Sequence, residues 1–356
     1  MRIIVPISYS PWPLMNINKT YFLKYFSKKY DVTVYFMYGF ESIIKQKLGF
    51  IHGEWIQEGL HFKIAPRPYL VHDAFTLPLA YISLNLENAD ICWAHDPITA
   101  ALYFKAPIVV DYDDPLSQTF PIYSVVERIA FKKQNVKFVV TPTEKLKKYL
   151  VKKVGVPPNK IRVVPFGVDI ELFKPTPFPE TPTVLYCGVL DKWKIQILLD
   201  AMEIVWKKRE NIRLILVGHA DSHILSFASR HKSRVKLYGY VNHNVLPMIF
   251  AHSTIGTYPA SKSFGGRFSM KLLEYMASGK PIIATDVDEA FLVEEAQSGI
   301  IVPRNPKEFA NAIIKLVDNE NLLRRFGENG RKFAEKYSSD EVAKQYIKIF
   351  EDILDY

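Results

Sequence analysis

Two parallel, doubly wound α/β sheets are predicted for this chain, and three observations predict them. Short apolar runs alternate with helix-period patterns from end to end, the rhythm that βα units produce. That rhythm breaks at Phe173-Lys-Pro-Thr-Pro-Phe-Pro-Glu-Thr-Pro182, whose prolines disfavour regular structure and make a semi-rigid connector. It then restarts, and 356 residues exceed the roughly 250–300 at which one core stops growing, so two domains are expected.

Taken in order, the first half gives strands at Arg2 to Ile7, Val32 to Phe36, His61 to Ala65, Ile91 to Ala94, Ile108 to Asp111, Phe138 to Thr141 and Ile161 to Val164. The second half gives strands at Thr183 to Tyr186, Ile212 to Val217, Val235 to Tyr238, Thr254 to Thr257, Pro281 to Ala284 and Gly299 to Val302. Helices are expected between them at about 195–208, 222–231, 244–250, 269–278 and 306–317. Beyond Asp318 the pattern is wholly helical, and such a tail either caps its own domain or crosses back to the first. The expected domains are residues 1–172 and 173–337, with a terminal helix at about 338–356 able to return to the first domain.

Composition narrows the function classes. A hydrophobic fraction of 48% with 23% charge is that of a globular protein, and the longest apolar run, near Ala74 to Leu84, falls short of the ~20 residues of a membrane span. The chain enters directly on the strand Arg2-Ile-Ile-Val5, unlike a secretory leader, so a cytoplasmic protein is expected. Cys92 and Cys187 sit in apolar surroundings and read as buried, reduced thiols; two cysteines without CxxC spacing argue against zinc and against a disulfide framework.

Net charge is +9 and uneven: residues 1–170 carry 21 Lys and Arg against 14 Asp and Glu, the remainder 25 against 23. The basic surface lies in the first half, in Asn18 to Tyr30, where Lys alternates with aromatics at helical spacing, and in Arg128 to Lys153. An anionic membrane surface or a phosphorylated acceptor suits such a face, as do ordinary solvated helices with their aromatics turned to the core. No RNP, zinc-finger or helix-turn-helix pattern points to nucleic acid.

The most informative stretch is Phe264 to Asp286, FGGRFSMKLLEYMASGKPIIATD. A Gly-Gly turn leads into a short amphipathic helix, a second Gly turn and a strand buried on both faces. The helix amides near Ser269 and Met270 lack internal partners and, with the helix dipole, make a seat for an anion. Glu274, one turn further in, is placed to reach a ribose hydroxyl. The same loop-helix-strand pattern also serves as plain structure without a ligand.

Other segments carry a family resemblance. Val163-Val-Pro-Phe-Gly-Val-Asp169 resembles the linker strand of the retaining glycosyltransferases of family 4, glycosyl transferases group 1, and Phe173-Lys-Pro follows it as in that family. Lys271 to Thr285 is similar to the family's donor-site helix and strand, and Ser298 to Pro303, Asn305 to Val317 and Phe326 to Arg331 are similar to its C-terminal run. The resemblance covers nearly all of residues 138–350 and is looser before. It implies the GT-B architecture, two Rossmann-like domains facing each other across a cleft, with an acceptor domain first and a nucleotide-sugar domain second. It further implies a metal-independent transferase that moves a sugar from a UDP- or GDP-sugar to a glycan or lipid-linked acceptor, with closure of the domains excluding water.

Carried over residue by residue, Lys194 aligns with the family's diphosphate-binding lysine, in the loop Gly188-Val-Leu-Asp-Lys-Trp-Lys194. The family's arginine there is Val189, so one phosphate contact is either missing or supplied by a neighbour such as Lys192, Arg267 or Lys271. Glu274 matches the ribose-binding glutamate, but its usual partner eight positions earlier is Gly266, where Gly265-Gly266 instead lets backbone amides approach the sugar. Lys194, Gly265, Gly266, Ser269, Met270, Lys271 and Glu274 are therefore the expected donor contacts. In the first domain, Ile91-Cys-Trp-Ala-His-Asp-Pro97 resembles the family's HAHD segment and selects His95 and Asp96 at a strand's carboxyl edge. Asp111-Tyr-Asp-Asp-Pro115 reads as acceptor-side or structural, and Tyr9 and Trp12 are expected to narrow the acceptor cleft or stack on a sugar.

Val189 and Gly266 also fit a degenerate, non-catalytic nucleotide-sugar-binding partner. An epimerase or phosphorylase of the same architecture is a further alternative. A dehydrogenase is the weakest, because no GxGxxG follows the first strand.

Overall fold

The computed structural model describes residues 1–7, 17–37, 59–64, 73–113, 116–263, 265 and 267–354. The chain forms two compact units: Met1–Gly167 with the segment from Ser339 onward, and Val168–Ser338.

In the first unit, β1 (Arg2–Ile7), β2 (Asp31–Phe36), β3 (Leu60–Ile64), β4 (Ile91–Ala94), β5 (Ile108–Asp111), β6 (Val136–Thr141) and β7 (Ile161–Val163) form a parallel sheet ordered β3-β2-β1-β4-β5-β6-β7. Strands β4 and β5 are buried along their whole length, as a sheet covered by helices on both faces requires. Strand β6 starts at Val136 rather than Phe138, because the exposed Lys137 interrupts the apolar run that marks it in the sequence. The helix Ser339–Leu354 belongs to this unit and supplies part of its core. Phe26 meets Phe350 at 5.2 Å between ring centroids, Phe22 meets Tyr346 at 5.3 Å, and Trp93 meets Tyr346 at 5.5 Å. The helix Ile17–Phe26 therefore turns Phe22 and Phe26 inward, with Tyr30 beyond it also buried, and leaves Lys24, Lys28 and Lys29 exposed. Of the two readings of this basic aromatic segment, the solvated helix with a core-facing aromatic side is the one adopted.

In the second unit, β8 (Thr183–Cys187), β9 (Arg213–Val217), β10 (Val235–Leu237), β11 (Ile255–Tyr258), β12 (Ile282–Thr285) and β13 (Gly299–Val302) form a parallel sheet ordered β10-β9-β8-β11-β12-β13. The helices Lys192–Trp206 and Pro306–Val317 pack together over one face, around Leu198, Met202, Phe309 and Ile313. The Pro-rich connector is fastened to this unit. Arg331 Nη1 donates to the carbonyls of Ile170, Phe173 and Ala277 at 3.1, 2.9 and 3.0 Å. Lys280, fully buried, donates to Thr176 Oγ1 at 3.0 Å. Among the described residues no helix is long and apolar enough to cross a membrane.

Candidate functional site

The second sheet reverses its winding between the neighbours β8 and β11, and open parallel sheets take ligands at the carboxyl edge beside such a reversal. A cavity of about 420 Å³ opens there. Its wall comes from Gly188, Val189 and Lys194 after β8, from Tyr258 to Ala260 around the end of β11, and from Arg267, Ser269 and Lys271 about the start of the helix Met270–Ala277. Backbone geometry shapes it. Gly188 has φ +142° and Gly218 φ +138°; a Cβ on Gly218 would stand 1.8 Å from the Gly188 carbonyl oxygen, and one on Gly188 2.4 Å from Lys271 Nζ. Two glycines thus let the loops after β8 and β9 touch and bring Lys271 against the first of them.

Three cations face this space. Asp191 caps the helix Lys192–Trp206 by accepting from the Lys194 amide at 2.8 Å, and its other oxygen lies 3.4 Å from the Lys194 ammonium. Lys271 Nζ is 3.3 Å from the Tyr186 hydroxyl and 4.4 Å from the centre of that ring. Arg267 completes the set, and Ser269 stands at the N-cap of Met270–Ala277 without capping it through its side chain, so among the described residues no side-chain cap covers the amides that open that helix. Cations, helix amides and a single wall carboxylate, Glu289, make a place for a doubly charged anion. Of the neighbours offered to replace an arginine at Val189, Arg267 and Lys271 line the cavity, and Lys192 does not.

Glu274, Met270 and Gly265 fall outside the cavity wall. Glu274 is buried, and its Oε1 accepts from His243 Nε2 at 2.7 Å, while the His243 ring meets Phe173 edge-on at 5.2 Å. Gly265 adopts φ +81°, a left-handed conformation natural to glycine. Gly266 lies outside the described residues. Sequence reasoning missed His243, which sits in a one-turn helix after β10 with no motif to mark it. It also missed Glu289, 1% exposed in the turn beyond β12. Glu289 did carry a signal: with Asp286 and Asp288 it is one of three acids in the turn that follows a buried strand. Burial, and after it the Glu289 charge, hold the Tyr258 hydroxyl well above its ordinary range. Cys187, at the end of β8, is half-buried rather than fully buried, yet burial of its thiol pushes it up to about 12.

In the first unit the winding reverses between β1 and β4. His95 follows β4, its ring edge-on to Trp93 at 4.6 Å and its Nδ1 3.9 Å from Asp111 Oδ2 at the end of β5. Asp111 in turn neighbours the Tyr346 hydroxyl, which burial pushes far above its usual range, and the Asp111 charge adds to the shift. Asp96 is occupied as the N-cap of the helix Pro97–Leu102: one oxygen accepts from the Thr99 amide and the other from the Thr99 hydroxyl, each at 2.7 Å. That engagement accounts for its burial without a ligand. Asp114, Tyr9 and Trp12 lie outside the described residues.

Family models match both halves, Glycosyltransferase Family 4 over residues 20–172 and Glycosyl transferases group 1 over residues 181–319. The chain is 27% identical over 205 residues to phosphatidyl-myo-inositol mannosyltransferase of Mycobacterium tuberculosis, 53% of each chain. It is 26% identical over 183 residues to alpha-D-kanosaminyltransferase of Streptomyces kanamyceticus, 49% of this chain and 46% of that one. It thus spans about half the length of the curated relatives it matches. Among solved structures, Anabaena HepE in complex with UDP superposes with a TM-score of 0.76 at 17% identity over 99% of both chains. Sucrose-phosphate synthase of Thermosynechococcus elongatus does so at 0.77 and 17%, again over 99% of both. At such identities the likeness is one of fold.

Proposed function

The chain belongs to the group 1 glycosyltransferases of family 4, and from that premise we propose that it moves a sugar from a nucleoside-diphosphate sugar to an acceptor hydroxyl, with retention at the anomeric carbon. The observation that carries this reading is the cavity at the reversal of the second sheet, where Lys194, Arg267, Lys271 and the N-terminus of the helix Met270–Ala277 converge. Preorganised donors of this kind act on charge as it develops. The bond from the anomeric carbon to the diphosphate oxygen breaks, the three cations take up the charge on the leaving diphosphate, and the acceptor oxygen bonds the same carbon from the same face. The acceptor's proton passes to the departing diphosphate, so the step asks for neither a protein nucleophile nor a metal. UDP in HepE supports a nucleoside-diphosphate-linked donor, UDP- or GDP-sugar in this reading, and the names of the curated relatives support sugar transfer.

In this reading Glu274 holds the ribose, Arg267 and Lys271 replace the phosphate contact absent at Val189, and Glu289 supplies the carboxylate absent at Gly266. His95, with Asp111 beside it, is the first unit's group for the reacting sugar, and Asp96 fixes the turn that presents it. The basic first half suits a glycan or lipid-linked acceptor with anionic character. Transfer and donor hydrolysis by the chain alone test the proposal. Lys194→Ala should lower turnover at least tenfold with melting unchanged, and turnover at the wild-type level would defeat it. Val189 in the cavity wall favours one second reading, a nucleotide-sugar-binding partner without activity. It would bind UDP in calorimetry and hydrolyse no donor.

A further inference from the structure

The helix Tyr123–Lys132 of the first unit buries Glu127, Ala130 and Phe131 on one side and leaves an apolar line uncovered on another. Ile122, Val125 and Ile129 are 74%, 51% and 62% exposed, and their spacing puts them on a single helical stripe about 10 Å long. The stripe continues to Phe104, 67% exposed, whose ring centre lies 3.9 Å from the ammonium of Lys133, one turn past Ile129. Exposed apolar side chains scattered singly are ordinary; a continuous line with a defined border marks a contact surface.

The border is cationic. Arg128 and Lys132 stand exposed on the same helix, and between Arg128 and Lys160 the chain has ten Lys and Arg against one acid, Glu144. Arg128, Lys133 and Lys160 also donate to main-chain carbonyls, which leaves Lys132, Lys137, Lys148, Lys152 and Lys153 exposed without such a bond among the described residues. The other basic segment, around Asn18 to Tyr30, offers no such face, because Phe22, Phe26 and Tyr30 are in the core. Apolar groups in a line, flanked by cations in large excess, match the two layers of an anionic bilayer surface: acyl boundary and phosphate.

We propose that the face carrying Ile122, Val125, Ile129 and Phe104 seats this protein on an anionic lipid surface, with Arg128, Lys132 and the following basic run engaging the lipid phosphates. This does not depend on the chemistry at the second unit's cavity, since binding is measured without turnover.

The test is flotation of the full chain with vesicles of phosphatidylcholine alone or mixed equally with phosphatidylglycerol. The wild type should rise with the anionic vesicles, stay behind with the neutral ones, and be released by high salt. Ile122→Ser with Ile129→Ser, and separately Arg128→Gln with Lys132→Gln, should each lower the bound fraction about tenfold at an unchanged melting temperature. All four residues are exposed, and because Arg128 Nε donates to the Val154 carbonyl at 3.1 Å, Lys132→Gln alone serves as the cationic variant should the pair lower the melting temperature. Equal binding to both vesicle types, no binding to anionic vesicles, or full binding by the Ile122/Ile129 variant would overturn the proposal. So would a wild-type dimer in sedimentation that this variant dissolves, for then a second copy of the chain covers the stripe.

Discussion

Replacing His243 with Ala should loosen the grip of Glu274 on a ribose while leaving the diphosphate seat intact. The two side chains are 14% and 8% exposed and 2.7 Å apart, so His243→Ala strands a buried carboxylate and should lower stability by about 1–3 kcal/mol in urea. A bond from an oriented carboxylate to a sugar hydroxyl contributes about 1.5–3 kcal/mol, roughly ten- to a hundredfold in affinity. Calorimetry with UDP, its dideoxy analogue and inorganic pyrophosphate reads this directly. The wild type should prefer UDP to the dideoxy analogue by that factor. His243→Ala and Glu274→Gln should lose most of the preference, and all three proteins should bind pyrophosphate alike. An equal preference in all three would remove Glu274 from the ribose. A wild type that binds neither nucleotide would instead refute the donor proposal itself.

Other perturbations reach different parts of the molecule. Burial holds the Lys280 amine down at about 8 against an ordinary 10.5, so between those pH values the unfolded chain binds a proton that the folded one does not, and stability rises with pH. Lys280→Met should accordingly stabilise at pH 7 by about 2 kcal/mol, about 3 from the removed shift less about 1 for the bond to Thr176, and lose that gain as pH climbs through the window. Urea unfolding at both ends checks it, and a gain independent of pH refutes it. Gly218→Ala puts a methyl on the Gly188 carbonyl at φ +138° and should cost about 3 kcal/mol or more, whereas Gly239→Ala, at φ +68° in open space, should cost about 1; equal melting shifts would contradict the steric account. Glu289→Gln should change which donor sugar is hydrolysed fastest while UDP affinity holds, and an unaltered sugar preference would remove Glu289 from the sugar.

The sheets were legible because their strands are short, buried on both faces and separated by helical patterns, so Ile91–Ala94 or Ile282–Thr285 stand out from composition alone. Strand β6 was clipped because Lys137, exposed between buried neighbours, masks its start. Lys194, Ser269 and Lys271, which line the cavity, stood out because each follows a buried strand or opens a helix, positions that sequence marks. His243 was invisible for the opposite reason: it meets Glu274 across thirty-one positions of chain, and no local pattern encodes that meeting. Asp96 shows the reverse ambiguity, since a helix cap and a catalytic acid look alike in sequence when both follow a strand.

The return of the helix Ser339–Leu354 to the first unit bears on how the protein is made. Val168 and Ser338 pair in a parallel bridge, so the second unit begins and ends at one place, as an insertion in the first. Val342, Tyr346 and Phe350, which close the core around Phe22, Phe26 and Trp93, leave the ribosome only after all of that insertion. At about 5–20 residues per second this delay is about 10–40 s. The later-made sheet is therefore complete first, and the sheet translated earliest waits, with its aromatic face uncovered, for the last helix.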